Sequence, residues 1–209
     1  MISPPERGAE RDAAIKAMLP HVPFDGWTRR ALRHGLADAG LPDDEADLLF
    51  PGGATDMIEA FCDLADRRME TEAADLAETG LGRRVRAVIA LRLSHSRPDK
   101  EAIRRAISVL ALPQNGRLAA RCSARTVEAI WHAAGDRSAD FSWYTKRAIL
   151  TAVYGATVLY WLRDAGEDDT ATLAFLDRRL SSVRQIGDLR RRATSFAARF
   201  RPPALRDPV

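Results

Sequence analysis

Residues Thr28 to Phe50 read TRRALRHGLADAGLPDDEADLLF. Apolar side chains recur there at helical intervals up to a break at Gly40-Leu41-Pro42, and resume beyond it. Helix, glycine-containing turn and second helix, in these proportions, make a helix-turn-helix pattern. A long third helix follows, opening ATDMIEAF at Ala54. Outward from this segment the same periodicity continues. It predicts helices near Arg7–Leu19, Thr28–Ala39, Asp43–Leu49, Thr55–Ala77, Leu81–Ser94, Lys100–Leu110, Arg117–Ala133, Ser142–Arg163, Asp168–Val183 and Ile186–Phe200. Alternating β-branched runs are absent, so the expected fold is an all-α bundle of about nine or ten helices. Pro42, Pro51, Pro98 and Pro113 fall between the segments, where a residue without an amide proton belongs.

The order of these helices resembles the N-terminal part of TetR-type repressors. The helix that would enter the major groove, however, carries Asp43, Asp44, Glu45 and Asp47, and no Lys or Arg occurs from Gly35 to Asp66. Affinity for a duplex rests on neutralising phosphates, so this face repels it. The scaffold reads as retained without nucleic acid as a partner; a ligand-responsive TetR-type regulator is the alternative function.

With 209 residues and 46% hydrophobic content, the chain is long enough for one substantial core. Its two cysteines, Cys62 and Cys122, form no framework and are expected as free thiols. The N-terminus lacks an apolar core behind a basic start, so neither a secretion signal nor an anchor is expected. Arginine makes up all but Lys16, Lys100 and Lys146 of the basic residues, as a GC-rich bacterial genome would encode. The net charge of +3 is unevenly placed: up to Val183 there are 25 basic and 27 acidic residues, and beyond it seven Arg face Asp188 and Asp207. Three parts follow: 1–52 a degenerate helix-turn-helix, 53–183 a helical body, 184–209 a basic amphipathic helix with a disordered tip.

The run AILTAVYGATVLYWL, Ala148 to Leu162, contains no charged side chain. It falls short of the ~20 residues that span a bilayer and carries Thr, Gly and Tyr. Apolar on all sides, it reads as a buried central helix. Its alanines and glycine also suit a helix that walls a cavity.

Catalysis finds no support. His21, His34, His95 and His132 are scattered, and no zinc-protease, nucleophile-elbow or phosphate-loop motif occurs. Glu128 and His132 share a helical face but read as a surface ion pair, since a di-iron bundle needs two Glu-x-x-His sets and further glutamates. No catalytic residue, metal or cofactor is expected.

The tail, VRQIGDLRRRATSFAARFR, places Ile186, Leu189, Ala193, Phe196 and Phe200 on one stripe, with Arg190, Arg191, Arg192 and Arg199 on other faces. Aromatic and aliphatic groups on one side and arginines on the others make a helix for a membrane interface with anionic head groups. The alternative is a last helix packed on its own domain or on a second copy.

The segment GDRSADFSWYTKR, Gly135 to Arg147, concentrates aromatic and charged groups in a chain only 7% aromatic. Ser142 and Asp140 suit the cap of the following helix. Capping leaves Trp143 and Tyr144 unexplained. On a helix they point about 100° apart, so one of them faces away from the core, and exposed Trp, Tyr and Arg together suit a protein contact.

This segment, with VEAIW at 127–131, RLSHSRPDKEAIRRAISVLALPQN at 92–115, GWTRRAL at 26–32 and TLAFLDRRL at 172–180, resembles the ninth family of coenzyme Q biosynthesis accessory proteins. Ala139 and Ser142 depart from the family pattern, which usually has Thr and Asn there. The resemblance implies a TetR-like helical homodimer that binds lipid in a hydrophobic cavity and touches the membrane through its amphipathic last helix. It implies a surface patch for demethoxyubiquinone hydroxylase, falling here on Asp140, Trp143, Tyr144 and Arg147. The ligand would be an isoprenoid quinone precursor or other lipid, with Trp131, Leu150, Tyr154 and Val158 as candidate cavity residues. The expected location is the bacterial cytoplasm, peripheral on the cytoplasmic membrane.

Overall fold

A computed structural model describes residues 3–42, 46–136, 142–166 and 168–183. Among the described residues the chain is all-α, as the periodicity predicts. Its helices are α1 (Ala9–Met18), α2 (Val22–Asp25), α3 (Arg29–Asp38), α4 (Ala46–Leu49), α5 (Ala54–Ala73), α6 (Leu81–His95), α7 (Lys100–Leu110), α8 (Gly116–Ala133), α9 (Ser142–Arg163) and α10 (170–183). A 3-10 turn, Pro113–Asn115, leads into α8. Two short pieces, α2 and this turn, escape a reading by periodicity because neither completes two helical turns.

Local chemistry explains the boundaries. The Thr28 hydroxyl caps α3 by accepting from the Ala31 amide at 3.2 Å. At the other end Gly40, at φ +65°, allows a left-handed cap in which the Leu41 amide reaches back to the Leu36 carbonyl at 2.9 Å. The second helix of the motif is described only as the single turn α4; Asp43, Asp44 and Glu45 lie outside the described residues. That turn is held from below by Arg11 of α1. Its guanidinium donates to the Leu49 carbonyl and, at 2.6 Å, to Asp56, and lies 4.4 Å over the Phe50 ring. Asp47 of the same turn accepts from Arg29 at 2.5 Å and Arg33 at 3.1 Å.

Two hydrophobic clusters make up the core. The first gathers α1 to α4, the first half of α5 and Ala102 and Ala106 of α7. Trp27 ties it together: its indole donates to the Ala102 carbonyl at 2.9 Å and its ring lies 5.2 Å from Phe61. The second gathers the far half of α5 with α6, α8, α9 and α10. There Trp161 is buried, donates to Asp169 at 3.1 Å and carries Lys100 over its ring, while Tyr160 stacks on Phe175 at 4.5 Å. Because α5 contributes Met57 to Phe61 to one cluster and Met69 and Ala73 to the other, its twenty residues join the two.

One helix differs from its sequence reading. Helix α9 is not buried on all sides. Leu150, Val153, Thr157 and Trp161 face inward, whereas Tyr144, Ala148, Ile149, Ala152, Gly155 and Leu159 lie on an outward stripe left uncovered in the single chain. The lack of charge from Ala148 to Leu162 conceals this two-sidedness, because the outward residues there are small or apolar rather than charged.

Gly35 sets the spacing of the motif. A Cβ there would fall 2.5 Å from the backbone of Ala17, so α1 and α3 cross at glycine contact. Gly35→Ala gains about 1 kcal/mol of helix propensity but forces two backbones apart, an overpacking that costs roughly 1–3 kcal/mol. The expected result is a fall in melting temperature of several degrees, with Gly155→Ala, which meets nothing within 4 Å, unchanged or higher. Calorimetry of the two variants checks the order.

Candidate functional site

Between α5, α6, α7, α8 and α9 lies a cavity of about 260 Å³. This is near the lower end of the ~300–1,000 Å³ typical of small-molecule sites. Its walls are largely apolar: Phe61, Leu93, Ile103, Ile107, Leu110, Val127, Val158 and Trp161 all contribute. Thr151, Gly155 and Leu159 line it and are also solvent-exposed, Leu159 by 55%, so the cavity opens on the outward stripe of α9. Gly155 stands at this mouth with open space where a side chain would be.

Of the cavity residues expected from the sequence, Tyr154 and Val158 are on the wall. Trp131 and Leu150 are not. Leu150 packs into the second core cluster, since it sits on the inward side of α9 toward α8. Trp131 also packs against that cluster, with Lys146 5.9 Å over its ring. Both stand one helical turn beyond the end of the void, Leu150 a turn before Tyr154 on α9 and Trp131 a turn after Val127 on α8, a limit set by how far the gap between the helices extends along their axes.

Periodicity alone did not bring out the polar part of this cavity. Asp66 of α5 and Arg92 of α6, 6% and 8% exposed, form an ion pair at 3.0 Å. Thr126 of α8 completes it by donating to the other Asp66 oxygen at 2.9 Å. Arg92 and Thr126 line the cavity, as do the free thiols Cys62 and Cys122, which interact with each other across α5 and α8. A trace of this cluster was present in the pattern: Asp66 and Arg92 each occupy a core position of an amphipathic helix, Arg92 directly among Val88, Ile89 and Leu93.

Removing two charges from water costs roughly several kcal/mol per ion, offset only where hydrogen bonds are complete. Here they are not. The Arg92 Nε has no hydrogen-bond partner among the described residues, and a buried unpaired donor costs about 1–3 kcal/mol. Burial pushes the Tyr154 phenol above its ordinary value, with the neighbouring Arg92 opposing the shift. Among the described residues, no three His, Cys, Asp or Glu side chains are grouped to hold a metal ion.

The second candidate region is the start of α9. Tyr144 is 72% exposed and meets Trp143 edge to face, ring centres 4.7 Å apart. Arg147 lies 3.7 Å over the Trp143 ring. Its guanidinium is held by Glu128 of α8 at 2.5 and 2.8 Å. Glu128 therefore pairs with Arg147 and not with His132, as its position on α8 had suggested; the bidentate guanidinium from α9 outcompetes a histidine on its own helix. Arg147 works as the clamp that fixes Trp143. Asp140 lies outside the described residues, as do Ile186, Leu189, Arg190, Arg191, Arg192, Phe196, Arg199 and Phe200 of the expected membrane contact. Of the Ser142 cap nothing is described.

Burial drives the Asp66 carboxyl up to about 6, against the pull of Arg92 and Thr126, from an ordinary value of 3.8. Between these values the folded chain holds a proton that the unfolded chain has released. This group's contribution to stability is therefore complete below the unfolded value and declines as pH rises toward the folded one. Asp66→Asn removes the titration, so its stability relative to the parent improves as pH is raised from about 4 to about 7. Urea midpoints of both proteins at the two pH values check this; a constant difference contradicts it.

Residues 117–187 match the family model described as COQ9. The "Ubiquinone biosynthesis protein COQ9, mitochondrial" of Rattus norvegicus is 32% identical over 182 residues, covering 83% of this chain and 58% of the relative. For the Homo sapiens protein of the same name the values are 32%, 83% and 57%. The chain thus spans a little over half the length of these two. The Schizosaccharomyces pombe protein "Ubiquinone biosynthesis protein coq9, mitochondrial" is 32% identical over 180 residues, covering 84% of this chain and 70% of the relative. Among solved structures, the "TetR transcriptional regulator from Nitrosomonas europaea ATCC 19718" superposes with a TM-score of 0.66 at 24% identity, over 84% of this chain and 98% of that one. That likeness shows a TetR-like helical fold. With this coverage and identity to the fission yeast protein, and a family-model match across α8, α9 and α10, the chain belongs to the COQ9 family.

Proposed function

We propose that this chain is a non-catalytic lipid-binding accessory protein of ubiquinone biosynthesis, receiving an isoprenoid quinone precursor and presenting it to demethoxyubiquinone hydroxylase at the membrane. The observation that carries the reading is the apolar cavity whose mouth, at Thr151, Gly155 and Leu159, opens onto an uncovered apolar stripe. A polyprenyl chain exceeds a cavity of about 260 Å³, so ring and proximal units go inside and the rest lies along the stripe. Membrane contact falls to the cationic segment with Ile186, Leu189, Phe196 and Phe200, which holds the protein peripherally on the bacterial cytoplasmic membrane, 53–183 being the lipid-binding body. Among the described residues no helix is long and apolar enough to cross a bilayer.

The hydroxylase docks on Trp143 and Tyr144, with Asp140 beside them and Arg147 holding the indole in place. Tyr144 and Gly155 are eleven residues apart on α9, roughly 16 Å along its axis, so a bound enzyme reaches the mouth directly. The remainder of the stripe suits a second copy in a homodimer. The TetR-like fold does not favour the regulator reading, because Asp47 occupies Arg29 and Arg33, cations a phosphate backbone would need.

Mass spectrometry of organic extracts tests the carrier reading. Protein purified without detergent is expected to release a prenylated lipid, and Gly155→Trp, which fills the mouth, to release a small fraction of it with helical content unchanged. Equal lipid in both, or none in the parent, overturns the reading. For the docking patch, Trp143→Ala with Tyr144→Ala is expected to abolish capture of the hydroxylase while leaving lipid content intact; undiminished capture removes the assignment.

A further inference from the structure

We infer that Arg92 reads the polar end of the ligand, donating to a hydrogen-bond-accepting oxygen on an amphiphile whose chain lies in the apolar part of the cavity. The inference rests on the lipid-carrier reading and adds to it a direction of entry, head inward and chain outward, and a residue that sets specificity.

Arg92 is the charged residue on the cavity wall, and it has donors to spare. A guanidinium carries five N–H groups in a planar fork. Asp66 engages Nη2 at 3.0 Å, Tyr154 lies beside the group, and Nε is buried with no hydrogen-bond partner among the described residues. A site that only stored hydrocarbon would gain nothing from a desolvated cation in its wall, since a chain of CH₂ and CH₃ groups cannot satisfy it. An oxygen-bearing head can.

Placement agrees. A second, smaller cavity of about 190 Å³ adjoins the first and shares Phe61, Arg92 and Ser96 with it. Beyond that partition stand Lys16, Arg68 and His95 with the carboxyl of Asp99, and the His95 Nδ1 is likewise buried without a partner among the described residues. Apolar wall and outward mouth lie on one side of Arg92, polar and mostly cationic side chains on the other. Asp66 makes the arrangement selective for a neutral or weakly acidic oxygen, because it already balances most of the Arg92 charge; a ring carbonyl or phenol fits better than a fully charged phosphate.

The test compares three probes on the parent and on Arg92→Gln by fluorescence displacement: a short-chain prenylated quinone, an isoprenoid hydrocarbon of the same chain, and phosphatidylglycerol. The parent is expected to prefer the quinone to the hydrocarbon by on the order of tenfold or more, the value of a hydrogen bond to a charged donor. In Arg92→Gln that preference shrinks to about twofold while hydrocarbon affinity is retained. Phosphatidylglycerol in place of the quinone as the preferred probe, with the preference lost in the variant, supports head reading by Arg92 and assigns the oxygen to a bilayer lipid. An unchanged preference in the variant, or an equal loss for quinone and hydrocarbon, overturns it. Failure of the parent to bind any of the three overturns the carrier reading instead. Should Arg92→Gln not fold, Arg92→Met with Asp66→Leu removes both charges together; a preference for the quinone retained in that variant also overturns the proposal.

Discussion

A carboxylate almost shut off from water holds the middle of this molecule together. Asp66 sits on α5, the helix common to both hydrophobic clusters; its carboxylate lies in ion-pair contact with Arg92 from α6 and accepts a hydrogen bond from Thr126 of α8. Withdrawing Arg92 leaves a charge unpaired in a low-dielectric interior, and withdrawing Thr126 leaves a buried carboxylate oxygen without its hydrogen bond, so three helices are tied at one point. Beside this point the helices do not close. Around a polar group that must keep its partners, apolar side chains cannot collapse freely, and the void bounded by α5 to α9 remains.

The character of α9 follows from its place against that void. One side of the helix supplies Val153, Thr157 and Trp161 to the core; the next supplies Tyr154 and Val158 to the cavity; the third leaves Ala148, Ala152, Gly155 and Leu159 facing outward. Small residues at the boundary between cavity and surface serve as an opening, because nothing projects across it. A helix of this composition in a closed interior would waste its glycine. At an entrance the missing side chain is the feature that matters.

Trp143 and Tyr144 stand at the beginning of the same helix but belong to a different mechanical unit. Glu128 on α8 grips Arg147, and Arg147 covers the Trp143 ring, so the aromatic pair is held at a fixed angle by a salt bridge between helices and not by burial. A rigid, half-exposed indole with an exposed phenol beside it loses little freedom on meeting a partner, which is the condition that makes such groups strong contact points. Cavity mouth and aromatic pair are thus mounted on one rigid helix, and whatever touches one is held in register with the other.

Helix order, fold class and most helix boundaries were legible from residue spacing, because apolar periodicity, prolines and glycine caps are local properties. The TetR-like arrangement was legible from the Thr28 to Phe50 motif and the long helix after it. So was the unusual density at Trp143 and Tyr144. Which side of α9 is left uncovered was not, since the stretch Ala148 to Leu162 has no charge to give contrast between its faces; where the void ends along α8 and α9, short of Trp131 and Leu150, and that Arg147 of the next helix takes Glu128, are likewise settled only by packing. The pairing of Asp66 with Arg92 was equally hidden, although each residue stood conspicuously at a core position of its own helix. Periodicity tells each helix which face to bury. Only the rotation of one helix against another, settled by packing over the whole molecule, decides which buried groups meet and where a gap is left between them.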